Sequence, residues 1–428
     1  MPSYLFKNAS VILDGRTDLK PSFNILVKDD CITVVTQDPI EADDAAVIDV
    51  AGKTLMPGLI DAHAHITGLS LSPKNLTSPA ADIVMAAATY LRNCLMAGFT
   101  TIREAGGADY TIAHLLKNGT IIGPRMFYSG RALTQTGGGA DFRTPIELTD
   151  PCGHVSPLSV MSVIVDGIDK VREAAREELR KGAAQIKVFA SGGVVFPAEG
   201  HPTRYEFSQA ELAAIVEEAA ARGTYVMAHV YTDQGVQRCL DAGVRSIEHG
   251  NFMSRETMAR IADAGAFYDP TFISLAQRIE TADETNLPIE IVENLRRTID
   301  RGKQVYAWAK ELGVPIALGT DLWGPDAQKS QPREFEQRID LDSSRNILRS
   351  ATVVNAELLM QSGMLGTIAS GAYADLLVVD GNPLSDIRVL VNSERTLKLI
   401  MKGGMIYKNE IVNTMRSPNS RSCISTCR

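Results

Sequence analysis

Several things are missing from this chain, and each absence removes a class of function. No apolar run among the 428 residues reaches bilayer-spanning length, so no transmembrane helix is expected. There is no excess of positive charge: 43 Lys and Arg stand against 51 Asp and Glu, a net charge of −8, which argues against nucleic acid as the main partner. The six cysteines (Cys31, Cys94, Cys152, Cys239, Cys423 and Cys427) are scattered and form no disulfide framework, which fits a reducing compartment. The N-terminus lacks a basic segment followed by an apolar one, so a cytoplasmic location is the expectation. No G-x-G-x-x-G follows a first strand, which removes the usual dinucleotide signature. No internal repeat is evident, and histidine is scarce at seven residues. What remains is ordinary globular usage, 45% apolar and 22% charged, in a chain too long for one usual core.

From Leu55 to about Ser370, short β-branched runs alternate with amphipathic helical stretches, the pattern of βαβ units on a parallel sheet. Strands are expected at 58–62, 100–103, 126–129, 185–189, 225–229, 246–248, 266–269 and 315–319. Ser208 and Glu211 form a capping box ahead of Leu212, Ile215, Val216 and Ala219, with Gly223 as the stop. Asp166 is expected to cap a second helix, with Ile168, Val171, Ala175 and Leu179 on its apolar face and Gly182 at its end. Eight strands with intervening helices predict an α/β chain folded as a (β/α)8 TIM barrel over residues 57–369, with function at the C-terminal strand ends. A doubly wound open sheet is the alternative. Residues 1–56 and 370–412 read as strands and are expected to form one small β-sandwich domain from both ends of the chain. Residues 413–428 are polar and aperiodic and read as a disordered tail.

Four of the seven histidines fall on or just after expected strand ends. In Asp61-Ala-His63-Ala-His65, residues two apart on an extended chain point the same way, so both imidazoles can reach one ion. His229 ends Tyr-Val-Met-Ala-His and His249 ends Ser-Ile-Glu-His, matching positions on consecutive strands. Imidazole is the commonest metal ligand, so converging imidazoles suggest a metal site. Asp321 follows the eighth expected strand, which in a barrel adjoins the first. There a carboxylate can bind metal and take a proton from water. Lys187 lies in Gln-Ile-Lys-Val-Phe-Ala, an otherwise apolar strand, where burial lowers the amine pKa. A neutral amine reacts with carbon dioxide to give an anionic carbamate that can bridge two cations. The plain alternative is a Lys paired with an acid such as Glu104. His114 reads as a helix residue, and Trp323, two residues past Asp321, is placed to line the pocket.

The set His63-x-His65, Lys187, His229, His249 and Asp321 resembles the amidohydrolase superfamily with a binuclear metal centre. The phrases Met56-Pro-Gly-Leu-Ile-Asp-Ala-His-Ala-His65, Gly98-Phe-Thr-Thr-Ile-Arg103 and Leu318-Gly-Thr-Asp321 add to it, as does Gly371-Ala-Tyr-Ala-Asp-Leu-Leu-Val-Val-Asp380. Within the superfamily the chain is similar to prolidase-like carboxypeptidases that include ochratoxin-hydrolysing enzymes. The carrying phrases are Ser129-Gly-Arg-Ala-Leu-Thr-Gln-Thr-Gly-Gly138, Lys187-Val-Phe-Ala-Ser-Gly-Gly193 and Ala228-His-Val-Tyr231.

The resemblance implies two divalent ions, zinc being the first choice and manganese, cobalt or nickel open. One is held by His63, His65 and Asp321 and the other by His229 and His249, bridged by a Lys187 carbamate. It implies hydrolysis of N-acyl amino acids, dipeptides or ochratoxin A by a metal-bridging hydroxide, with Asp321 as the catalytic proton carrier. Tyr231 is implied to bind the substrate carboxylate, with Arg131 or Arg143 beside it. Gly139 stands where relatives often carry His, so that substrate contact is missing or is supplied by His154 or His201. A cyclic amidase of the hydantoinase or imidazolonepropionase kind, with the same metal centre, is the main alternative. A non-catalytic homologue is the other. A homo-oligomer as large as an octamer is implied.

Overall fold

The computed structural model describes residues 3–69, 78–143, 161–194 and 205–411. The two ends of the chain share one mixed sheet of eight strands: β1 (Ser3–Val11), β2 (Lys20–Lys28), β3 (Cys31–Thr36), β4 (Ala45–Asp49), β5 (Thr54–Pro57), β15 (Leu376–Val379), β16 (Leu397–Lys402) and β17 (Met405–Asn409). β5 is the seam. It pairs in parallel with β1 through Ser10–Thr54 and antiparallel with β15 through Leu55–Val378. Alternation along β15 and β16 splits their side chains between two cores. Leu376, Val378 and Leu399 join Phe6, Val11, Ile25 and Val27. Leu377, Val379, Leu397 and Ile400 join Leu59, Phe99 and the inner face of the helix Ala80–Met96. This period-two division buries both faces of these strands.

The middle of the chain forms two parallel sheets. The first is β6 (Leu59–Ala64), β7 (Phe99–Glu104) and β8 (Arg125–Tyr128). The second runs in the order β10 (Ser162–Ile164), β9 (Ala132–Thr134), β11 (Ile186–Phe189), β12 (Val226–Thr232), β13 (Ser246–Phe252) and β14 (Phe267–Asp269). Residues 315–319, expected as an eighth strand, form no ladder. Ile316 makes one parallel bridge to Tyr268, and Leu318 accepts the Ala62 N–H at 2.8 Å. The Ala184 N–H donates to Tyr128 at 2.8 Å, joining the β11 approach to β8. Strands β9 and β10 were not foreseen.

Helices return the chain between strands. Gln209–Ala221 begins in the expected capping box, buries Leu212, Ile215 and Ala219, and stops before Gly223 in the left-handed region at φ 70°. The helix Ile168–Arg180 departs from expectation. Its N-cap is Gly167, while Asp166 accepts from the Thr136 N–H and hydroxyl. A competing turn partner has taken the cap side chain. His114 lies on the helix Tyr110–Lys117, stacked on Tyr110. Cys31, Cys94 and Cys239 are free thiols; Cys152, Cys423 and Cys427 lie outside the described residues, as does the 413–428 segment. Among the described residues no helix is long and apolar enough to cross a membrane.

Candidate active site

His63 near the end of β6 and His65 just past it, Lys187 within β11, His229 within β12 and His249 within β13 come together, with Asp321 after residues 315–319. The His63 ring centroid lies 5.2 Å from that of His65 and 5.3 Å from that of His249, and His229 and His249 are 4.7 Å apart. Asp321 Oδ1 stands 3.5 Å from His63 Nε2 and 3.2 Å from His65 Nε2. Lys187 Nζ lies 3.3 Å from His63 Nε2. It makes no ion pair with Glu104, whose carboxylate accepts the Gly106 N–H and whose Oε1 is left without a partner.

Neighbours fix the ring orientations. His63 Nδ1 lies 2.7 Å from a Glu248 carboxylate oxygen, which can only accept, so Nδ1 carries the proton and Nε2 presents a lone pair to the cluster. His65 Nδ1 faces the Gly106 carbonyl at 3.4 Å, and His249 Nδ1 sits 2.7 Å from Thr271 Oγ1. Trp323 packs over His65 at 4.4 Å and donates its indole N–H to Asp321 Oδ1 at 3.2 Å. His249, Thr271 and Asp321 adopt φ of 73°, 47° and 53°, left-handed conformations that non-glycine residues rarely take and that cluster at functional sites. At Gly319 a β-carbon would lie 2.1 Å from Asp269 Oδ2 and 2.5 Å from His63 Cβ, so only glycine lets this segment pass behind His63.

Burial keeps His63, His229 and His249 neutral. Burial, then the Lys187 charge, takes His63 down to about 3. Burial takes His249 down to about 3 and His229 well below its ordinary value. Burial lowers Lys187 to about 8. Burial would raise Asp321, but the surrounding imidazoles hold it well below the usual carboxylate range. The Nε2 lone pair of His63 therefore faces an anionic oxygen at 3.5 Å. That is unfavourable unless a cation lies between them. His229 Nε2 is buried without a partner, a second mark of a group that must be satisfied. One atom each of His63, His249 and Asp321 lie within 4.8 Å of one another, as a metal site requires. The donor set fits a divalent cation of the zinc type.

The expected substrate contacts fare unevenly. Tyr231 lies at the site, its ring stacked 4.9 Å from that of His249. Arg131 is held by Glu178, with Nη2 3.0 Å from Oε1, and Arg143 by Asp141, with Nη2 2.7 Å from Oδ2. His154 and His201 lie outside the described residues. The Gly139 N–H donates to Glu206 Oε1 at 2.6 Å, and a β-carbon there would meet that oxygen at 3.2 Å. Glu206 thus fills the space beside Gly139. Sequence reasoning missed Glu248 and its partner Arg103; the Glu beside His249 was the one visible signal.

The class now follows from comparison. Residues 54–406 match the Amidohydrolase family model, and the chain belongs to that family. It is an amidohydrolase, a hydrolase of amide or peptide bonds, in a family that is generally metal-dependent. The ochratoxinase of Aspergillus niger is 32% identical over 367 residues, covering 83% of this chain and 75% of that protein. A prolidase solved in complex with N-methylphosphonate-L-proline is similar at 36% identity and a TM-score of 0.91, over 95% of this chain and 100% of that one. A Xaa-Pro dipeptidase with methionine in its active site is similar at 28% identity and a TM-score of 0.81, over 95% and 100%. The fold of these neighbours is of the TIM-barrel type.

Proposed function

We propose that this amidohydrolase cleaves the amide bond of N-acyl amino acids or dipeptides that carry a free carboxylate, in the manner of a carboxypeptidase or prolidase. The observation that carries the reading is the convergence of His63, His65, Lys187, His229, His249 and Asp321, with His63, His229 and His249 neutral by burial and a lysine that has no carboxylate partner. Two divalent ions would be held there, one by His63, His65 and Asp321, the other by His229 and His249. When bound, such ions polarise an amide carbonyl and lower the pKa of water. Lys187 would supply the anionic ligand shared by the ions: a neutral amine there can take up carbon dioxide with loss of a proton, giving a carbamate with two oxygen donors. Burial favours the neutral amine that this needs. Asp321 is the proton carrier. Trp323 and His65 engage its Oδ1, and Oδ2 takes the proton of the attacking water and returns it to the departing amine. Tyr231, stacked on His249, presents its hydroxyl to the substrate carboxylate.

The two parallel sheets, with residues 315–319 between β14 and β6, are the staves of one closed barrel over residues 57–369 in this reading, and the hydrogen bonds of Ala62 and Ala317 support it. The terminal segments 1–56 and 370–412 form the smaller domain. The test is a screen across N-acyl amino acids, dipeptides and cyclic amides, with metal analysis of the active protein. About two ions per chain and cleavage of free acids in preference to their carboxyl-amidated twins are expected. Equal cleavage of both twins would move the cyclic-amidase reading ahead.

A further inference from the structure

Arginines on this chain are usually tied to acids. Arg103, Arg131, Arg143, Arg172, Arg333 and Arg338 all make ion pairs with carboxylates. Arg278 is the exception near the site. It lies on the helix Phe272–Glu280, which follows β14 and begins at Thr271, the residue that meets His249. Leu275 and Ile279 of this helix pack with Tyr231, Val194 and Leu295. Residues 275, 278 and 279 are neighbours on one helical face, so Arg278 shares the face that lies against Tyr231. Its titratable neighbours are the Asp321 carboxylate and the neutral Tyr231 hydroxyl, the proposed proton carrier and the expected donor to a carboxylate. Its Nε is buried with no hydrogen-bond partner, and among the described residues it makes no ion pair.

A partly buried guanidinium without a counterion is costly, and burial already takes it down to about 10. Beside a site built for cations the cost rises, because like charges repel. Asp321 offsets part of this at a distance, and an anion bound directly to the guanidinium would supply the pairing it lacks.

We propose that Arg278 reads the substrate's free carboxylate, pairing with it alongside the Tyr231 hydroxyl and so setting the preference for substrates that end in a carboxylic acid. This rests on the reading of the site as an amide hydrolase for N-acyl amino acids or dipeptides. It also assigns the cationic role differently from Arg131 and Arg143, which are already engaged. The guanidinium suits this task because its planar fork matches a carboxylate in two-point contact.

The experiment uses the metal-loaded enzyme and the best free-acid substrate from the screen, with its carboxyl-amidated twin. The quantity read is the ratio of kcat/KM for acid over amide, in wild type, Arg278→Lys and Arg278→Met. A charge-assisted hydrogen bond contributes enough to change this ratio by about ten- to a hundredfold. In Arg278→Met the ratio should fall by that amount, with most of the loss in KM, and Arg278→Lys should keep part of it. Calorimetry with the free amino acid released from that substrate should show weaker binding to Arg278→Met in the same proportion. Metal content and melting temperature identify any variant that has failed to fold, and Arg278→Lys, which keeps the charge, then carries the test. If wild type prefers the acid and both variants keep the full preference, Arg278 is structural and the inference is overturned while the hydrolase reading stands. If wild type cuts both twins equally or neither, the carboxylate-directed reading itself fails, and the role of Arg278 with it.

Discussion

Replacing Glu248 by Gln removes one charge from the most buried ion pair of the site and leaves the shape nearly unchanged. Glu248 accepts from His63 Nδ1 at 2.7 Å, from Arg103 Nη2 at 2.9 and 3.0 Å, and from the Ser246 hydroxyl at 2.5 Å. Both it and Arg103 are wholly buried. Burial would raise the Glu248 carboxyl, but Arg103 and His63 hold it well below its ordinary value. Breaking a buried pair by removing one partner costs about 3–5 kcal/mol. The lower end applies because the Gln oxygen still accepts from Arg103. About 3 kcal/mol is a large share of the ~5–15 kcal/mol that holds a typical native protein together. The melting temperature should drop on the order of 5 °C.

A second effect is separable from the first. The Gln amide can present either its oxygen or its nitrogen to His63, so the imidazole tautomer is no longer fixed. Loss of such a partner typically weakens metal binding about 10–100-fold. The assay is thermal unfolding with chelator present, which isolates the ion pair, followed by metal titration of refolded protein. The stabilising contribution of the ionised Glu248 is present above the ordinary glutamate pKa of about 4.3 and is lost as pH falls below it. The gap between wild type and variant should therefore narrow in acid. A chelated variant that melts within about 1 °C of chelated wild type at neutral pH would refute the reasoning.

Three further outcomes are expected. Lys187→Ala should lose most activity and release metal, with partial recovery on adding a short carboxylic acid; near-normal turnover and metal content would make the lysine structural. Glu206, which burial pushes up to about 8, is buried beside Gly139 and Thr134 and keeps a proton that the unfolded chain loses near pH 4.3. Its contribution is therefore lost as pH rises toward 8, so Glu206→Gln should be more stable than wild type at pH 8.5 and gain less at pH 5, as read by denaturant midpoints. Light scattering is expected to report an oligomer; a mass near 46 kDa would exclude one.

Much of this was legible because burying unusual groups is expensive. Lys187 stood out as an ammonium in an apolar strand, and four histidines at strand ends could not all be incidental. The capping box at Ser208 was readable because both of its partners lie within four residues. What stayed hidden depends on separation in sequence. Arg103 and Glu248 are 145 residues apart, and nothing local marks either as the other's counterion. Arg278 sits on a helix where an arginine is ordinarily solvated, and only the tertiary cluster that Leu275 and Ile279 share with Tyr231 brings that helix to the site. Asp166 was misread because Ser, Thr and Asp side chains serve turns as readily as helix caps, and Thr136 lies thirty residues away. The segment 315–319 was expected as a full strand and makes only isolated strand pairing, its apolar residues being committed to the core.

The seam at β5 has a consequence for synthesis. The strand that covers the open side of residues 54–57, residues 376–379, leaves the ribosome more than three hundred residues after them. At ~5–20 residues per second the wait is roughly 15 to 60 seconds. Throughout it the nascent chain carries β1 to β5 with one unpaired edge and with Phe6, Val11, Ile25 and Leu55 uncovered by their C-terminal partners. An exposed edge of that kind recruits foreign strands. Expression of this enzyme should therefore depend on chaperone capacity and on slow, cool growth, and a truncation before residue 376 should aggregate even though every proposed metal ligand would be present.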